Sequence, residues 1–308
     1  MTNKIVAVQG NHPSKLNPIT DTSVFLANEI QSKNYKIFYY DPKDLSVINS
    51  KVIASGFFIK FDYSKKKFFK ILKKQKLDLT KCKFILIRQD PPFNLEYISA
   101  TYILDTIKDK VKILNNPTAI RNVSEKLYSV KYQKYMPSTI FTQNINEIKN
   151  FFKIHKKVIL KPIHSYSGND IHLLNKFNSK LINQFIKKHD HIMCQKFLPK
   201  ITKGDKRVFL INGKVCGAIS RVPKKGSFLS NMSKGAKPIN IKLTHIENKI
   251  SKLIAKDLKK ENIFFAGIDF IDEKLNGDIN VTSPTGLKTL YDLSGINLAK
   301  TFWKELKA

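Results

Sequence analysis

The segment that most constrains the fold is a mostly apolar run, Cys82 to Ile87, that ends abruptly at Arg88-Gln89-Asp90-Pro91-Pro92-Phe93. Apolar runs of this length are typical of strands buried on both faces of a parallel sheet. Two further predicted strands, 5–9 and 36–40, flank a helix that Asp21 can cap and that runs to about residue 33. Strand and helix alternate, which predicts an α/β lobe with a mainly parallel sheet.

The polar corner after this run is the first candidate functional feature. Ligands of open α/β sheets bind beyond the carboxyl ends of the strands, and Arg88 and Asp90 stand at such an end. Pro91 and Pro92 restrict the backbone there. The segment therefore predicts a rigid polar corner that contributes to a binding site.

The charge balance suggests an anionic partner, but the type of cation argues against nucleic acid. The 308 residues include 55 Lys and Arg against 24 Asp and Glu, a formal net charge of +31. Only four of the basic residues are arginines, the side chain that readers of bases and phosphates usually need. We therefore expect a solvated lysine-rich surface and no nucleic-acid partner. A basic surface that attracts anionic substrates or RNA remains the alternative.

The scarcity of arginine makes each one informative. Where lysine is used so freely, an arginine is expected where bidentate or stacked geometry is required. The four positions are Arg88, Arg121, Arg207 and Arg221.

Several function classes are disfavoured by what the sequence lacks. No stretch approaches the roughly 18 apolar residues of a membrane helix, and the apolar run at 5–8 is too short for a signal peptide. We expect a cytoplasmic protein with no membrane association. Cys82, Cys194 and Cys216 fit no zinc spacing and are interpreted as reduced structural thiols. No catalytic triad is visible, and His164 is the only histidine in a candidate site loop.

Three lobes are predicted: residues 1–120, 121–200 and 201–308. In the second, strand 158–161 is followed by the small polar loop 164–169 and an antiparallel partner at 171–174. In the third, strands 208–212 and 215–221 form a hairpin, and residues 223–238 form a long loop of the kind that is often a lid. The predicted elements that follow are a helix at 244–260, strands at 264–271 and 278–281 joined by a turn at 273–277, and a last helix ending near 306.

A candidate metal site lies on the last two strands. Asp278 and Asn280 are two residues apart and so share one face of a strand, and Asp269 on the partner strand comes within range of that face. Oxygen ligands on rigid strands suit magnesium, which takes its remaining ligands from water and phosphate. The alternative is a pair of solvent-facing acids on a hairpin.

Two lysines are candidates for phosphate binding. Lys161 ends the buried strand before Pro162, and the loop after it has small residues whose amides can approach phosphate oxygens. Lys126 and Glu125 are predicted on a helix that begins after Pro117, where they could equally form an exposed pair.

Taken together, the motifs resemble the bacterial-type glutathione synthetases, which are ATP-grasp ligases. The resemblance covers nearly the whole chain, in the family's order and spacing. The segments that carry it are Arg88 to Phe93, Ala100-Thr101-Tyr102-Ile103-Leu104, Asn122-Val123-Ser124-Glu125-Lys126-Leu127, Ile159-Leu160-Lys161-Pro162, Gly204-Asp205-Lys206-Arg207-Val208, Gly267-Ile268-Asp269 and Ile279-Asn280-Val281-Thr282-Ser283-Pro284-Thr285.

The resemblance implies an N-terminal parallel-sheet (pre-ATP-grasp) lobe followed by a two-lobed ATP-grasp domain that clamps ATP. It implies an enzyme that joins γ-glutamylcysteine to glycine through an acyl phosphate, with ATP as co-substrate and Mg²⁺ or Mn²⁺ as cofactor. It also implies a homo-oligomer, often a tetramer in the family.

The same resemblance assigns roles to individual residues. The implied catalytic residues are Arg207 and Arg221, and the implied metal ligands are Asp269, Asp278 and Asn280. The implied ATP-binding residues are Lys126, Lys161, Ser165, Ser167, Gly168, Gln195, Lys196, Phe197, Leu198 and Asp205. The implied substrate-binding residues are Ser23, Arg88, Asp90, Asn231, Ser283, Pro284 and Thr285.

The chain departs from the family mostly in its acceptor half. The family usually has glutamate at Asp278, lysine at Gln89, and arginine and glycine at Leu229 and Ser230. Residues 286–289 replace a charged stretch, and the loop after Pro162 is poorer in glycine. Two alternatives follow: a related ligase with another amine or carboxylate substrate, and a non-catalytic nucleotide- or RNA-binding protein.

Overall fold

The computed structural model describes residues 4–63, 65 and 67–308, and their strands form three sheets. Among these residues, no helix has the length and apolar character needed to cross a membrane. The three cysteines form no disulfide; Cys82 and Cys194 are buried.

The first sheet holds the predicted parallel core. Strands β1 (Ile5–Gln9), β2 (Lys36–Tyr40), β6 (Phe84–Ile87) and β7 (Lys112–Leu114) lie parallel, in the order β2-β1-β6-β7. Helix α1 (Thr22–Gln31) is capped by Asp21, whose carboxylate accepts the Val24 N–H at 2.7 Å. Helices α2 (Leu95–Asp105) and α3 (Pro117–Asn122) complete the lobe.

Two features of this lobe differ from the prediction. An antiparallel extension, β3 (Leu45–Ile48), β4 (Lys51–Phe61) and β5 (Phe69–Asp78), pairs onto β2. It was not predicted because the lysine-rich strand β5 has few buried side chains, with Leu77 the only one that is fully in the core. The helix after Pro117 ends at Asn122, so Glu125 and Lys126 do not lie on it.

The second sheet is antiparallel, with the order β10-β9-β11-β8. Its strands are β8 (Thr139–Thr142), β9 (Val158–Pro162), β10 (His172–Leu174) and β11 (Ile192–Lys196). Helices α4 (Ile145–His155) and α5 (Ser179–His189) cover one face, where Ile148, Phe151, Ile182 and Phe185 pack on the strands. The opposite face is left free to form a cavity wall.

The third sheet is antiparallel, with the order β14-β13-β12-β15-β16. Its strands are β12 (Asp205–Ile211), β13 (Lys214–Val222), β14 (Lys237–Asn240), β15 (Phe265–Ile271) and β16 (Lys274–Asn280). Helices α6 (His245–Lys260), α7 (Leu287–Ser294) and α8 (Leu298–Glu305) accompany it.

Two boundaries in this region correct the sequence prediction, and one helix adds to it. Strand β16 begins at Lys274, so the turn after β15 is the two-residue Asp272–Glu273, and both of these residues have positive φ. The long loop is shorter than expected because its last residues form β14. The predicted last helix is α8, and a further helix, α7, precedes it and ends at Gly295, whose φ is +72°.

The third sheet and its C-terminal helices pack directly on the first lobe. Trp303 is fully buried there, its indole N–H donates to the Leu26 carbonyl at 2.9 Å, and its ring lies 5.8 Å from that of Phe84. The Asn115 side chain donates to the carbonyls of Phe265 and Val281 at 2.8 and 2.7 Å. These contacts fix the carboxyl end of the first sheet against β15 and β16.

We predict that Trp303→Ala lowers the free energy of unfolding by about 3–5 kcal/mol, because it leaves a cavity and removes the indole hydrogen bond at this junction. Urea denaturation measures the change. The control is Ile154→Ala, whose side chain is 73% exposed and whose effect should be within about 0.5 kcal/mol. Equal losses in the two variants would contradict this packing.

Candidate active site

Two adjoining cavities lie where the three sheets meet. The first, of about 860 Å³, lies between the second and third sheets and is called here the nucleotide cavity. The second, of about 1410 Å³, opens between the third sheet and the corner after β6 and is called here the acceptor cavity. Arg207, Arg221, Asn231 and Asn280 line both.

Lys126 and Lys161 share one carboxylate in the nucleotide cavity. Their Nζ atoms lie 3.5 and 3.6 Å from the two oxygens of Asp278. Lys126 also donates to the Ser165 carbonyl at 2.8 Å, and Lys161 donates to Asn276 Oδ1 at 2.9 Å. Burial lowers the pKa of Lys161, an effect that Asp278 opposes. Two buried cations facing one carboxylate leave positive charge that suits phosphate.

The three predicted metal ligands come together on β15 and β16. Asp269 accepts from Arg207 at 2.8 and 2.7 Å and lies 3.1 Å from Arg221 Nη2. Asn280 donates to the Gly267 carbonyl at 3.0 Å, which leaves its side-chain oxygen without a hydrogen bond to the described residues. Although burial opposes ionisation, Arg207 and Arg221 hold the pKa of Asp269 below its usual range.

This donor set fits a divalent cation that is shared with phosphate. In the described part of the chain, no group of three or more His, Cys, Asp or Glu side chains is arranged to hold a metal. Two carboxylates and an amide oxygen are hard ligands on rigid strands, which suit magnesium when water and phosphate complete the coordination.

Arg221 belongs to a buried chain of ion pairs that reaches the long loop. Its guanidinium binds Asp205 through two hydrogen bonds, one from Nε at 2.8 Å and one from Nη2. Ser230, on the loop between β13 and β14, donates to the same carboxylate at 2.6 Å. Asp205 thus lines the nucleotide cavity with both oxygens engaged, and its contact with ATP stays a prediction.

The predicted ATP-binding segments surround the same cavity. Lys196, Phe197 and Leu198 line it at the end of β11, where the buried Gln195 donates to Thr139 Oγ1 at 3.0 Å. Ser165, Ser167 and Gly168 line it from the loop after β9. A Cβ at Gly168 would lie 2.3 Å from Asn231 Oδ1, so any other residue here would force the Asn231 side chain or its loop to move.

The predicted substrate-binding residues divide into two groups. Asp90, Asn231, Ser283 and Thr285 line the acceptor cavity. Ser23, Arg88 and Pro284 do not; Arg88 is buried and donates to Ser23 Oγ and to the Pro284 carbonyl, both at 3.0 Å.

Asp90 is one of the residues lining the acceptor cavity whose pKa is shifted. Burial raises its pKa, an effect that Arg88 opposes, and Asn11 donates to its carboxylate at 2.9 Å. In the corner after β6, Asp90 therefore contributes to the wall of the acceptor cavity, while Arg88 supports that wall from behind through its bonds to Ser23 and Pro284.

All four arginines have the geometry expected of them. Arg207 and Arg221 make paired bonds to carboxylates, and Arg88 bridges two elements. Arg121 stacks on Tyr102 at 4.0 Å and pairs with Asp105, away from both cavities. That lysine could not serve at these positions stays a prediction.

Sequence reasoning missed several lining residues, of which Asn276 and Glu125 matter most. Asn276 was placed in a turn. With β16 beginning at Lys274, the two-residue period puts Asn276, Asp278 and Asn280 on one face, so the alternation itself was the available signal. Glu125 was interpreted as part of an exposed helix pair.

Two family models match the chain. Residues 5–121 match the model described as "Prokaryotic glutathione synthetase, N-terminal domain", and residues 125–295 match "Prokaryotic glutathione synthetase, ATP-grasp domain".

Curated relatives match over nearly the full length. The glutathione synthetase of Agrobacterium fabrum is 32% identical over 308 residues, covering 99% of this chain and 96% of that protein. The glutathione synthetase of Brucella melitensis is 34% identical over 307 residues, covering 98% of each.

Solved structures with lower identity share the fold. The D-cycloserine synthetase DcsG superposes with a TM-score of 0.65 at 9% identity, covering 98% of this chain and 99% of that one. The D-alanyl-alanine synthetase A of Vibrio cholerae superposes with a TM-score of 0.61 at 15% identity, covering 96% and 95%. An ATP-grasp ligase, PsnB, complexed with Mg and ADP has a TM-score of 0.64 at 12% identity, covering 99% and 98%. The predicted ATP-grasp architecture is confirmed.

We predict that Gly168→Ala weakens nucleotide binding at least tenfold, because the added methyl group forces the loop after β9 away from Asn231. Calorimetric titration with MgADP measures the affinity. Gly226→Ala is the matched control: its φ of +83° resembles the +71° of Gly168, but its Cβ would meet nothing within 4 Å. Equal effects in the two variants would mean that backbone strain, and not the contact between the loops, is responsible.

Proposed function

Because the chain belongs to the prokaryotic glutathione synthetase family, we propose that it joins γ-glutamylcysteine to glycine in an ATP-dependent reaction that yields glutathione, ADP and phosphate. The family resemblance inferred from the sequence motifs is confirmed, and so is the enzyme class, an ATP-dependent carboxylate–amine ligase. The non-catalytic alternative gains no support from these relatives.

The proposal rests on the positions of four cationic side chains in the two cavities. Lys126 and Lys161 lie in the nucleotide cavity, and Arg207 and Arg221 line the boundary with the acceptor cavity. Phosphoryl transfer from ATP to a carboxylate needs positive charge along the path of the γ-phosphoryl group. A carboxylate in the acceptor cavity would meet that group beside the two arginines.

The reaction then has two balanced steps. A carboxylate oxygen of γ-glutamylcysteine takes the γ-phosphoryl group, which forms an acyl phosphate and releases ADP. The neutral amino group of glycine attacks the acyl carbon, loses a proton and expels phosphate, which leaves the amide. Arg207 and Arg221 would stabilise the charge that develops at the transferred group and at the tetrahedral oxygen, so no side-chain nucleophile is required.

The remaining site assignments are part of this proposal. Lys126 and Lys161 would hold ATP phosphates, the backbone of 165–168 would approach them, and residues 195–198 would line the base. A Mg²⁺ or Mn²⁺ ion held by Asp269, Asp278 and Asn280 would neutralise phosphate charge. Asp90, Asn231, Ser283 and Thr285 would contact substrate, with Ser23, Arg88 and Pro284 supporting them. The three-lobe boundaries and the homo-oligomer stay predictions.

A different acceptor amine is the second candidate. Ser230 binds Asp205 at a position where the family has glycine, and Leu229 stands where the family has arginine. We therefore expect the loop that covers the cavities to be held by contacts that differ from those in the family. The choice of acceptor amine is the property that such a difference would affect most.

The test is ADP release by the purified protein with MgATP and γ-glutamylcysteine, with and without glycine, together with mass spectrometry of the product. We expect glycine-dependent release and a product with the mass of glutathione. Lys161→Ala should abolish turnover, and Lys73→Ala, on the mostly exposed strand β5, should not. Turnover with another amine but not with glycine would favour the second candidate.

We predict that Arg221→Lys lowers kcat at least a hundredfold, because one ammonium group cannot bind Asp205 through two bonds and also reach Asp269. Steady-state kinetics of the same assay measures the loss. Arg121→Lys makes the same chemical change away from both cavities and should lower thermal stability with kcat unchanged. Comparable kcat losses in both would contradict the role of Arg221.

A further inference from the structure

Glu125 lies outside every assignment made so far, yet it lines both the nucleotide and the acceptor cavities. It follows α3 in the chain and immediately precedes Lys126. Its backbone carbonyl accepts the N–H of Ile279 at 2.8 Å, so Glu125 is bonded to the C-terminal end of β16.

The side chain of Glu125 makes a concentrated set of bonds to the residues that follow β16. A single carboxylate oxygen, Oε1, accepts from the N–H of Val281 at 2.9 Å, from the N–H of Thr282 at 3.1 Å and from Thr282 Oγ1 at 2.8 Å. Hydrogen bonds to an ionised acceptor are shorter and stronger than neutral ones. The chain is thereby held just before and just after Asn280.

The held segment carries two of the three proposed metal ligands. Asp278 and Asn280 point to the cavities, and Ile279 and Val281, fully buried, point into the core. The core side chains fix which face is presented, and the pairing of Asn280 with Gly267 and the bond from Asn115 to the Val281 carbonyl also hold the backbone here. The bonds from Glu125 add further restraints on the same stretch of backbone, and they come from a residue that lines both cavities.

We propose that Glu125 is a positioning residue that sets the metal-ligand geometry of Asp278 and Asn280 without itself contacting the metal. The inference rests on the proposed function, which requires the metal site. Groups that orient ligands in this way typically change metal affinity by about 10–100-fold when they are removed.

The experiment measures metal binding without turnover. Mn²⁺ binding to the full-length protein is followed by electron paramagnetic resonance in the presence of ADP, and ADP binding is measured separately in EDTA. Glu125→Ala and Glu125→Leu should weaken Mn²⁺ binding at least tenfold while metal-free ADP affinity changes less than about twofold. Glu125→Gln, whose amide oxygen still accepts hydrogen bonds, should stay within about threefold of the unmodified protein.

Glu261→Ala is the control. It removes a glutamate that pairs with Lys131 at 3.2 Å, and it should leave Mn²⁺ affinity unchanged. Unchanged Mn²⁺ affinity in Glu125→Ala, with only a lower melting temperature, would overturn the inference. If the alanine variant does not fold, equal Mn²⁺ affinities for the leucine and glutamine variants would overturn it. If the unmodified protein itself binds no Mn²⁺ with ADP, the proposed metal site fails and the role of Glu125 fails with it.

Discussion

The buried chain of ion pairs from Arg207 through Asp269 and Arg221 to Asp205 is the interaction on which the rest of the site depends. Removing charges from water is unfavourable, and taking away one partner of such a pair leaves an uncompensated charge that costs about 3–5 kcal/mol. Removing any one of the four side chains is therefore expected to destabilise the arrangement of the other three. They lie on β12, β13 and β15, three adjacent strands, so the sheet fixes their spacing before any ligand arrives.

The same chain couples the protein interior to the covering loop. Ser230 donates a hydrogen bond to Asp205, and the Asn231 side chain lies against Gly168. One short segment therefore contacts both the arginine network and the loop after β9. Closing this loop would also shield the two arginines from water, which strengthens their interaction with developing negative charge. In this structure the loop and the arginine network are thus joined through Ser230.

Much of the fold and site could be predicted because the informative residues lie on regular strands. The spacing of Asp278 and Asn280 was sufficient to place them beside Asp269, and the scarcity of arginine identified four positions with paired or stacked geometry. The antiparallel extension at 45–78 was missed because β5 is mostly exposed and carries no apolar alternation. Glu125 was missed because its partners are backbone groups more than 150 residues away, which no local pattern encodes. Arg88 was assigned to substrate but supports the wall, since a motif does not reveal which side of a cavity wall a side chain occupies.

The most direct test of this account is a crystal structure of the protein with Mg²⁺, a non-hydrolysable ATP analogue and γ-glutamylcysteine. The account predicts that Lys126 and Lys161 bind phosphate oxygens, and that Asp269 and Asp278 lie at about 2.0–2.1 Å from the metal. It also predicts that the substrate carboxylate lies between the γ-phosphoryl group and Arg207 or Arg221. A nucleotide whose phosphates lie elsewhere, with Asp278 still paired to both lysines, would contradict it.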